Sequence, residues 1–352
     1  MKILYGVPGE GMGHATRSKV IIEHLIRNKH EVQVLSSSRA YTFLKQTFGD
    51  CVHEIKGLHF AYKDAQISRL GTVLLNLKQA PESILHNVSR YLQLQHDFHP
   101  DLIISDFESF TFAYAKFHRL PIVSIDNMQV LNRCKPTVKI PLHVKDDFFV
   151  AQAIVKAKVP FAQHYFITSF FDAVISKNNT SLVKPIIRDA IIDAKPTQGN
   201  HILMYQTSTT FKKVKEVLKQ LPNERFVIYG MNIDEVDGHM QFKKFSETTF
   251  VNDLSSAYAV IANGGFSFIS EAVYLHKPIY SFPIKGQFEQ WYNAANVERL
   301  GYGRHFETLE ADHLKAFLYD VPSFKQNLSA YAQQGNIDLL NELDAILVSL
   351  SQ

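Results

Sequence analysis

Thiols are scarce in this chain: Cys51 and Cys134 are its two cysteines, and they stand at no metal-ligand spacing. That excludes a disulfide framework and a cysteine zinc site, and fits a reducing compartment. No apolar run approaches the roughly 20 residues that a membrane-spanning helix needs, and Ile3-Leu4-Tyr5 opens the chain without a signal-peptide pattern. Neither sign of charge dominates. A net charge of +3 with dispersed Lys and Arg leaves no electrostatic footprint for nucleic acid. Low-complexity tracts and short-period repeats are missing, and so is an Asp-x-Asp cluster placed to hold a metal. The expectation is a cytoplasmic globular protein, without nucleic acid or metal, whose membrane contact, if any, is peripheral to the inner face of the membrane.

What is present is an alternation of strands and helices. At 352 residues the chain is long enough for two domains with substantial cores. A strand at Lys2–Tyr5 leads into Gly6-Val7-Pro8-Gly9-Glu10-Gly11-Met12-Gly13-His14, and helical spacing of Val20, Ile21, His24 and Leu25 predicts a helix from about Ala15. The loop is not the dinucleotide fingerprint: the position of its third glycine is His14, the second strand ends in Ser36-Ser37-Ser38 instead of an acid, and no Walker lysine follows. A histidine closing such a loop reads either as a helix-start packing residue or as a general base. Pro100–Asp106 is a buried-type strand ending in a carboxylate. Parallel strands bring their carboxyl ends to one edge, so Asp106 lies near His14 if the two strands are neighbours. It would then orient the ring; the alternative is an N-cap of the helix near Ser109, and Glu108 is a second candidate.

The second half repeats the pattern. His201–Tyr205 is a strand, Gln206–Thr210 a hydroxyl-rich turn and Phe211–Leu221 a helix. Tyr258–Ala262 is a strand broken by Asn263-Gly264-Gly265, after which Phe268, Ile269, Ala272, Val273 and Leu275 recur at helical spacing. A glycine turn at a helix start receives an anion, a phosphate above all. Glu271, about one and a half turns on, is placed to accept hydrogen bonds from a ribose, or is a surface helix residue. After a strand at Ile279–Phe282, the loop carrying Gln287, Glu289 and Gln290 suits sugar hydroxyls, or caps the next helix.

Between these stretches, Leu58–Arg69 reads as a long loop and Gly71–Phe98 as one or two helices. Arg133, Lys135, Lys139, His143, Lys145, Lys156 and Lys158 lie among Val138, Ile140, Leu142 and Phe148, and form either a solvated basic surface or a face toward anionic lipid or an anionic acceptor. Residues 1–180 read as the first domain, 181–198 as a linker following the polar break at Asn178–Ser181, 199–330 as the second domain, and 331–352 as a terminal helix packing back on the first domain.

Three stretches carry a family resemblance: GEGMGHATRS at Gly9–Ser18, FVNDLSSAYAVIANGGFSFISEA at Phe250–Ala272 and KPIYSFPIKGQFEQWYNAANVERLG at Lys277–Gly301. The chain resembles nucleotide-sugar glycosyltransferases of the GT-B class, the group of MurG and the UDP-glycosyltransferases, and especially glycosyltransferase-like proteins with a GxGxGHxxR start. The resemblance implies an α/β fold of two Rossmann-like domains whose parallel sheets face a cleft, acceptor in the first and nucleotide sugar in the second. It implies His14 as the base and Asp106 as its orienting acid, with Gly11, Gly13 and Arg17 in the acceptor loop. Gly264, Gly265 and Phe266 would receive the diphosphate, with Ser208 and Thr209 facing it; Arg17 or Lys285 would help to offset its charge. Glu271 would hold the ribose, the backbone around Val251 the base, and Gln287, Glu289 and Gln290 the donor sugar, with Glu-Gln where relatives more often have Asp-Gln.

The implied function is inverting, metal-independent transfer of a hexose-type sugar, in cell-envelope glycan synthesis, to a glycan or lipid-linked hydroxyl. No cofactor is expected beyond the nucleoside-diphosphate sugar, with UDP the first choice of carrier. Two alternatives share the architecture: a nucleotide-sugar 2-epimerase, which would act on the donor alone, and a non-catalytic nucleotide-sugar-binding protein.

Overall fold

A computed structural model describes residues 1–9, 11–57, 62–63, 66–67, 86–94, 96–206 and 211–351. Ser208 and Thr209, most of the Leu58–Arg69 loop and the start of the helical stretch from Gly71 lie outside the described residues.

In the first half the strands are β1 (Lys2–Val7), β2 (Glu31–Ser36), β3 (Val52–Glu54), the short antiparallel pair β4 (Tyr62–Lys63) and β5 (Gln66–Ile67), β6 (Leu102–Ser105), β7 (Ile122–Asp126), β8 (His164–Thr168) and β9 (Thr180–Val183). Seven of them form a parallel sheet in the order β3-β2-β1-β6-β7-β8-β9. Their near-continuous apolar runs are what a parallel sheet covered on both faces demands; all four residues of β6 and all five of β7 are buried.

The second half has β10 (His201–Tyr205), β11 (Arg225–Tyr229), β12 (Glu235–Asp237), β13 (Met240–Phe242), β14 (Ala259–Ala262), β15 (Ile279–Ser281) and β16 (Gly303–His305), in the order β12-β13-β11-β10-β14-β15-β16. Only the β12-β13 edge pair is antiparallel. The molecule is thus a two-domain α/β fold. In each sheet the strand order reverses beside the first strand of its half, the place where open α/β sheets bind ligands.

Two elements differ from their expected limits. Asn179, at φ 55°, makes the turn that the polar run signals, but Thr180–Val183 then pairs with β8 as an edge strand, so the first domain runs past residue 180. The first helix begins at Met12, not near Ala15, because Gly11 at φ 84° reverses the loop one residue earlier.

The helix Ile337–Leu350 returns to the first half. Leu339, Leu343 and Leu347, four apart on one face, are buried in the same apolar cluster as Ile21, Ile22 and Val183. Burying each is worth about 2 kcal/mol. Asn336 fixes its approach by bonding both the N–H (2.8 Å) and the carbonyl (2.6 Å) of Ile187.

Candidate active site

The register of β1 against β6 sets Gly6 opposite Ser105, and the Asp106 N–H donates to the Gly6 carbonyl (2.9 Å). Asp106 therefore stands where the loop after β1 returns as the helix Met12–Arg27. His14 and Arg17 share one face of that helix, three positions apart. The His14 Nδ1 lies 3.0 Å from Asp106 Oδ1. Arg17 forks onto the same carboxylate, Nε to Oδ2 at 2.9 Å and Nη2 to Oδ1, while the Ser18 hydroxyl donates to Oδ2 at 3.0 Å. Asp106 is 1% exposed. Burial works against its ionisation, but Arg17 and then His14 outweigh it and hold the carboxyl well below the usual carboxylate range.

Arg17 Nη2 also lies 2.7 Å from His14 Nδ1. Nδ1 cannot donate to Asp106 and accept from Arg17 at once. With the proton on Nδ1, Asp106 is the acceptor, the Arg17 Nη2 group donates to Asp106 and not to His14, and Nε2 carries the lone pair that a general base needs. Asp106 caps no helix. That position belongs to Glu108, whose carboxylate accepts from Phe110 N and Thr111 N, both at 2.7 Å, which also removes Glu108 from the choice of orienting acids.

From Arg17 the contacts continue outward. Its Nη1 donates to Asn127 Oδ1 (2.8 Å), and Asn127 Nδ2 donates to Glu289 Oε1 (2.7 Å) in the second half. Arg17 is thus buried, with Nε, Nη1 and Nη2 each donating to a neighbouring side chain. Next to Asn127, at the end of β7, Asp126 is fully enclosed. Burial pushes its carboxyl up to about 6, against the pull of the Ser124 hydroxyl, and the nearby Asp106 adds to the rise.

On the other side of the cleft, Gly264 takes φ 96°, and a Cβ there would come within 2.5 Å of the Gln290 carbonyl. Only glycine lets the turn lie this close to the helix Phe288–Arg299. Asn293 braces the turn through the Gly264 carbonyl (3.0 Å), and Asn263 bonds the Phe282 carbonyl (3.2 Å). Gly265 caps the helix Phe266–Tyr274 without a side-chain acceptor, leaving its first-turn amides without a side-chain bond. Phe266 is buried, its ring 6.2 Å from that of Phe170. The two helix starts meet here: a Cβ on Gly13 would stand 2.5 Å from the Ser267 hydroxyl, whereas Gly11 faces open space. Gln287 is the half-buried N-cap residue of the helix Phe288–Arg299 and makes no side-chain capping bond. Gln290 Oε1 accepts from Ile284 N (3.0 Å), bracing the loop after β15.

Three expected roles meet obstacles. Glu271 is 8% exposed, and Arg188, from the crossing segment, forks onto both its oxygens at 2.7 and 2.9 Å; any ribose must use the remaining lone pairs. Val251 is buried inside the helix Glu247–Ser256, where the backbone amides serve the helix itself, so that stretch presents no free edge to a base. In the basic region, Arg133 is turned inward over the Tyr165 ring (3.7 Å) and onto Thr180, and Lys158 lies over Phe107, its ammonium disfavoured by burial. Lys135, Lys139, Lys145 and Lys156 remain exposed.

A histidine–acid pair at one sheet edge thus lies opposite a glycine turn and a helix start. A family model described as Glycosyl transferase family 1 matches residues 1–322. The chain belongs to glycosyl transferase family 1. This glycosyltransferase is 26% identical over 327 residues to an uncharacterised glycosyltransferase of Methanosarcina acetivorans, covering 86% of this chain and 85% of that one. A relative from Methanosarcina mazei is 26% identical over 329 residues, with the same shares. Among solved structures, Phytolacca americana UGT2, complexed with UDP-2fluoro-glucose and pterostilbene, is similar with a TM-score of 0.69 at 14% identity, covering 100% of both chains. The calicheamicin glycosyltransferase CalG4 is also similar, with a TM-score of 0.62 at 15% identity, covering 99% of this chain and 98% of that one. These likenesses establish the GT-B fold.

Two residues of the transferase's site escape sequence reasoning. Arg188 sits in a segment that reads as linker. Asn127 follows a strand end, as Asp106 does, and that shared position was the available signal.

Proposed function

We propose that this enzyme is an inverting, metal-independent glycosyltransferase that moves a hexose from a nucleoside-diphosphate sugar, UDP first among the carriers, to a hydroxyl of a glycan or lipid-linked acceptor. The observation that carries this reading is the His14–Asp106 contact at 3.0 Å, facing the glycine turn across the cleft. His14 Nε2 takes the acceptor proton as its oxygen attacks the anomeric carbon, and Asp106 stabilises the imidazolium that forms. The bond from the anomeric carbon to the diphosphate oxygen breaks, and the leaving charge falls on the first-turn amides and dipole of the helix Phe266–Tyr274. Glu289 and Gln290 read the sugar, and Glu271, kept in place by Arg188, reads the ribose.

An open groove of about 400 Å³ runs along the helix Phe288–Arg299, lined by Val138, Pro141, His143, Trp291, Arg299 and Glu307. It suits an extended acceptor, with the Trp291 ring as an apolar platform for a sugar face. Beside it Leu142, Phe149, Val150 and Ile154 are exposed among Lys135, Lys139, Lys145 and Lys156, which supports contact with an anionic membrane surface at the inner face. No helix among the described residues is long and apolar enough to cross a membrane.

Thermal stabilisation by UDP, dTDP, GDP and their glucose conjugates tests the donor class; a preference for a nicotinamide dinucleotide over all of them would overturn the reading. His14→Ala is expected to cut transfer by about a hundred- to ten-thousandfold while sparing nucleotide binding. Unchanged turnover would remove His14 from the role of base.

A further inference from the structure

Asn127 joins the two halves of the site, and the hydrogen-bonding options of its neighbours determine which way its amide faces. The Arg17 guanidinium can only donate, so the atom facing it at 2.8 Å is the Asn127 oxygen. The amide nitrogen then faces Glu289 Oε1 at 2.7 Å, where an ionised carboxylate can only accept. No other residue type of this length serves both neighbours: an aspartate would satisfy Arg17 and repel Glu289. Arg17 in turn is fixed by its fork on Asp106, so the position of the amide is set by the same carboxylate that orients His14. Asn127 is 5% exposed, and Glu289 Oε2 has no hydrogen-bond partner among the described residues.

We infer that Asn127 is a positioning residue for the donor sugar: it pins Oε1 of Glu289 from the first domain and so presents Oε2 to a sugar hydroxyl, completing the sugar subsite only when the domains are closed on the base. This rests on the reading of Glu289 as a sugar-binding residue. The amide does not hold the domains together alone. Thr137 bonds Tyr292 (2.9 Å) and Asn296 (2.7 Å) on the helix Phe288–Arg299, and His143 pairs with Glu307 (3.0 Å) beyond β16. Loss of the amide contact therefore frees the Glu289 side chain without opening the cleft.

The test measures binding of UDP-glucose and of UDP to the full chain by calorimetry, and the quantity read is the ratio of the two affinities. Asn127→Asp keeps the Arg17 contact and loses the donor to Glu289; it is expected to lower the UDP-glucose to UDP ratio by about tenfold, the order expected for one hydrogen bond to a charged group. UDP affinity should stay near that of the parent, whereas the melting temperature should fall, because a buried carboxylate then faces Glu289 and stands beside Asp126. The pair Asn127→Asp with Glu289→Gln restores the bond with donor and acceptor exchanged, and should recover much of the ratio. An unchanged ratio in Asn127→Asp, or losses in the pair that simply multiply, would overturn the positioning role. Glu289→Ala separates the two claims. If it leaves the ratio intact, the sugar-reading role of Glu289 fails; if it lowers the ratio while Asn127→Asp does not, only the inference about Asn127 fails.

Discussion

The Arg17–Asp106 and Arg188–Glu271 pairs share one geometry, an arginine forked onto both oxygens of a buried carboxylate, yet the two carboxyls are driven in opposite directions. Asp106 is held below the usual range, because Arg17 and His14 together outweigh burial. Glu271 is pushed up, since burial exceeds what Arg188 returns and Glu247 adds a like charge. Arg188 itself is pushed up: burial lowers it, but the two glutamates overcome that. With both Glu271 oxygens within 2.9 Å of a guanidinium that does not give up its proton, the pair is ionised at neutral pH. The difference teaches that the third and fourth neighbours, not the fork, decide what a buried ion pair contributes. The signs follow. Asp106 adds stability above the ordinary aspartate range that is lost as pH falls, whereas Glu271 favours the fold at acid pH and loses that advantage as pH rises above the ordinary glutamate range.

The comparison breaks most visibly at Arg17. Arg17→Met leaves Asp106 buried without its main counter-charge and should cost about 3–5 kcal/mol in urea unfolding at pH 7; a loss below about 1 kcal/mol would mean that His14 and Ser18 suffice. Asp126 extends the contrast, as a buried carboxylate with no arginine fork, raised to about 6. Stability should therefore fall as pH rises from about 4 to 6, and Asp126→Asn should abolish that slope and gain on the order of 2–3 kcal/mol at pH 7. Arg188→Met is expected to cost less, about 1–3 kcal/mol, because Glu271 already leans toward taking a proton. That loss should grow between pH 5 and 8, and a pH-independent loss would contradict the account of Glu271. Glu247→Gln removes the like charge on Glu271 together with the half-exposed ion pair to Arg188, and should change stability by no more than about 0.5 kcal/mol.

The legibility of these pairs in the sequence was uneven, for physical reasons. Strand ends announce themselves through hydropathy, so the meeting of His14 with Asp106 followed from parallel strands once their adjacency was granted. The same reasoning located the turn at Gly264 and Gly265. Side-chain partners were not legible where they come from afar: Arg188 reaches Glu271 across 83 positions, and Asn127 reaches Glu289 across 162. Nor does periodicity say which way a charged residue turns. Arg133 looks like a surface base by composition and is folded under Tyr165. Between Asp106 and Glu108 the orienting acid was open, because the sequence does not say which of the two carboxylates caps the helix start.

The return of the helix Ile337–Leu350 has a consequence for how the chain is made. His24 bonds Asp344 (2.8 Å) across 320 positions, and Leu339, Leu343 and Leu347 complete a core whose other members are synthesised more than 150 residues earlier. On the ribosome, the first domain must wait with an apolar groove open along its helix while the entire second domain is translated. Closing so long a loop is slow. During that interval the nascent first domain carries uncovered apolar surface, which the terminal helix closes once it is made.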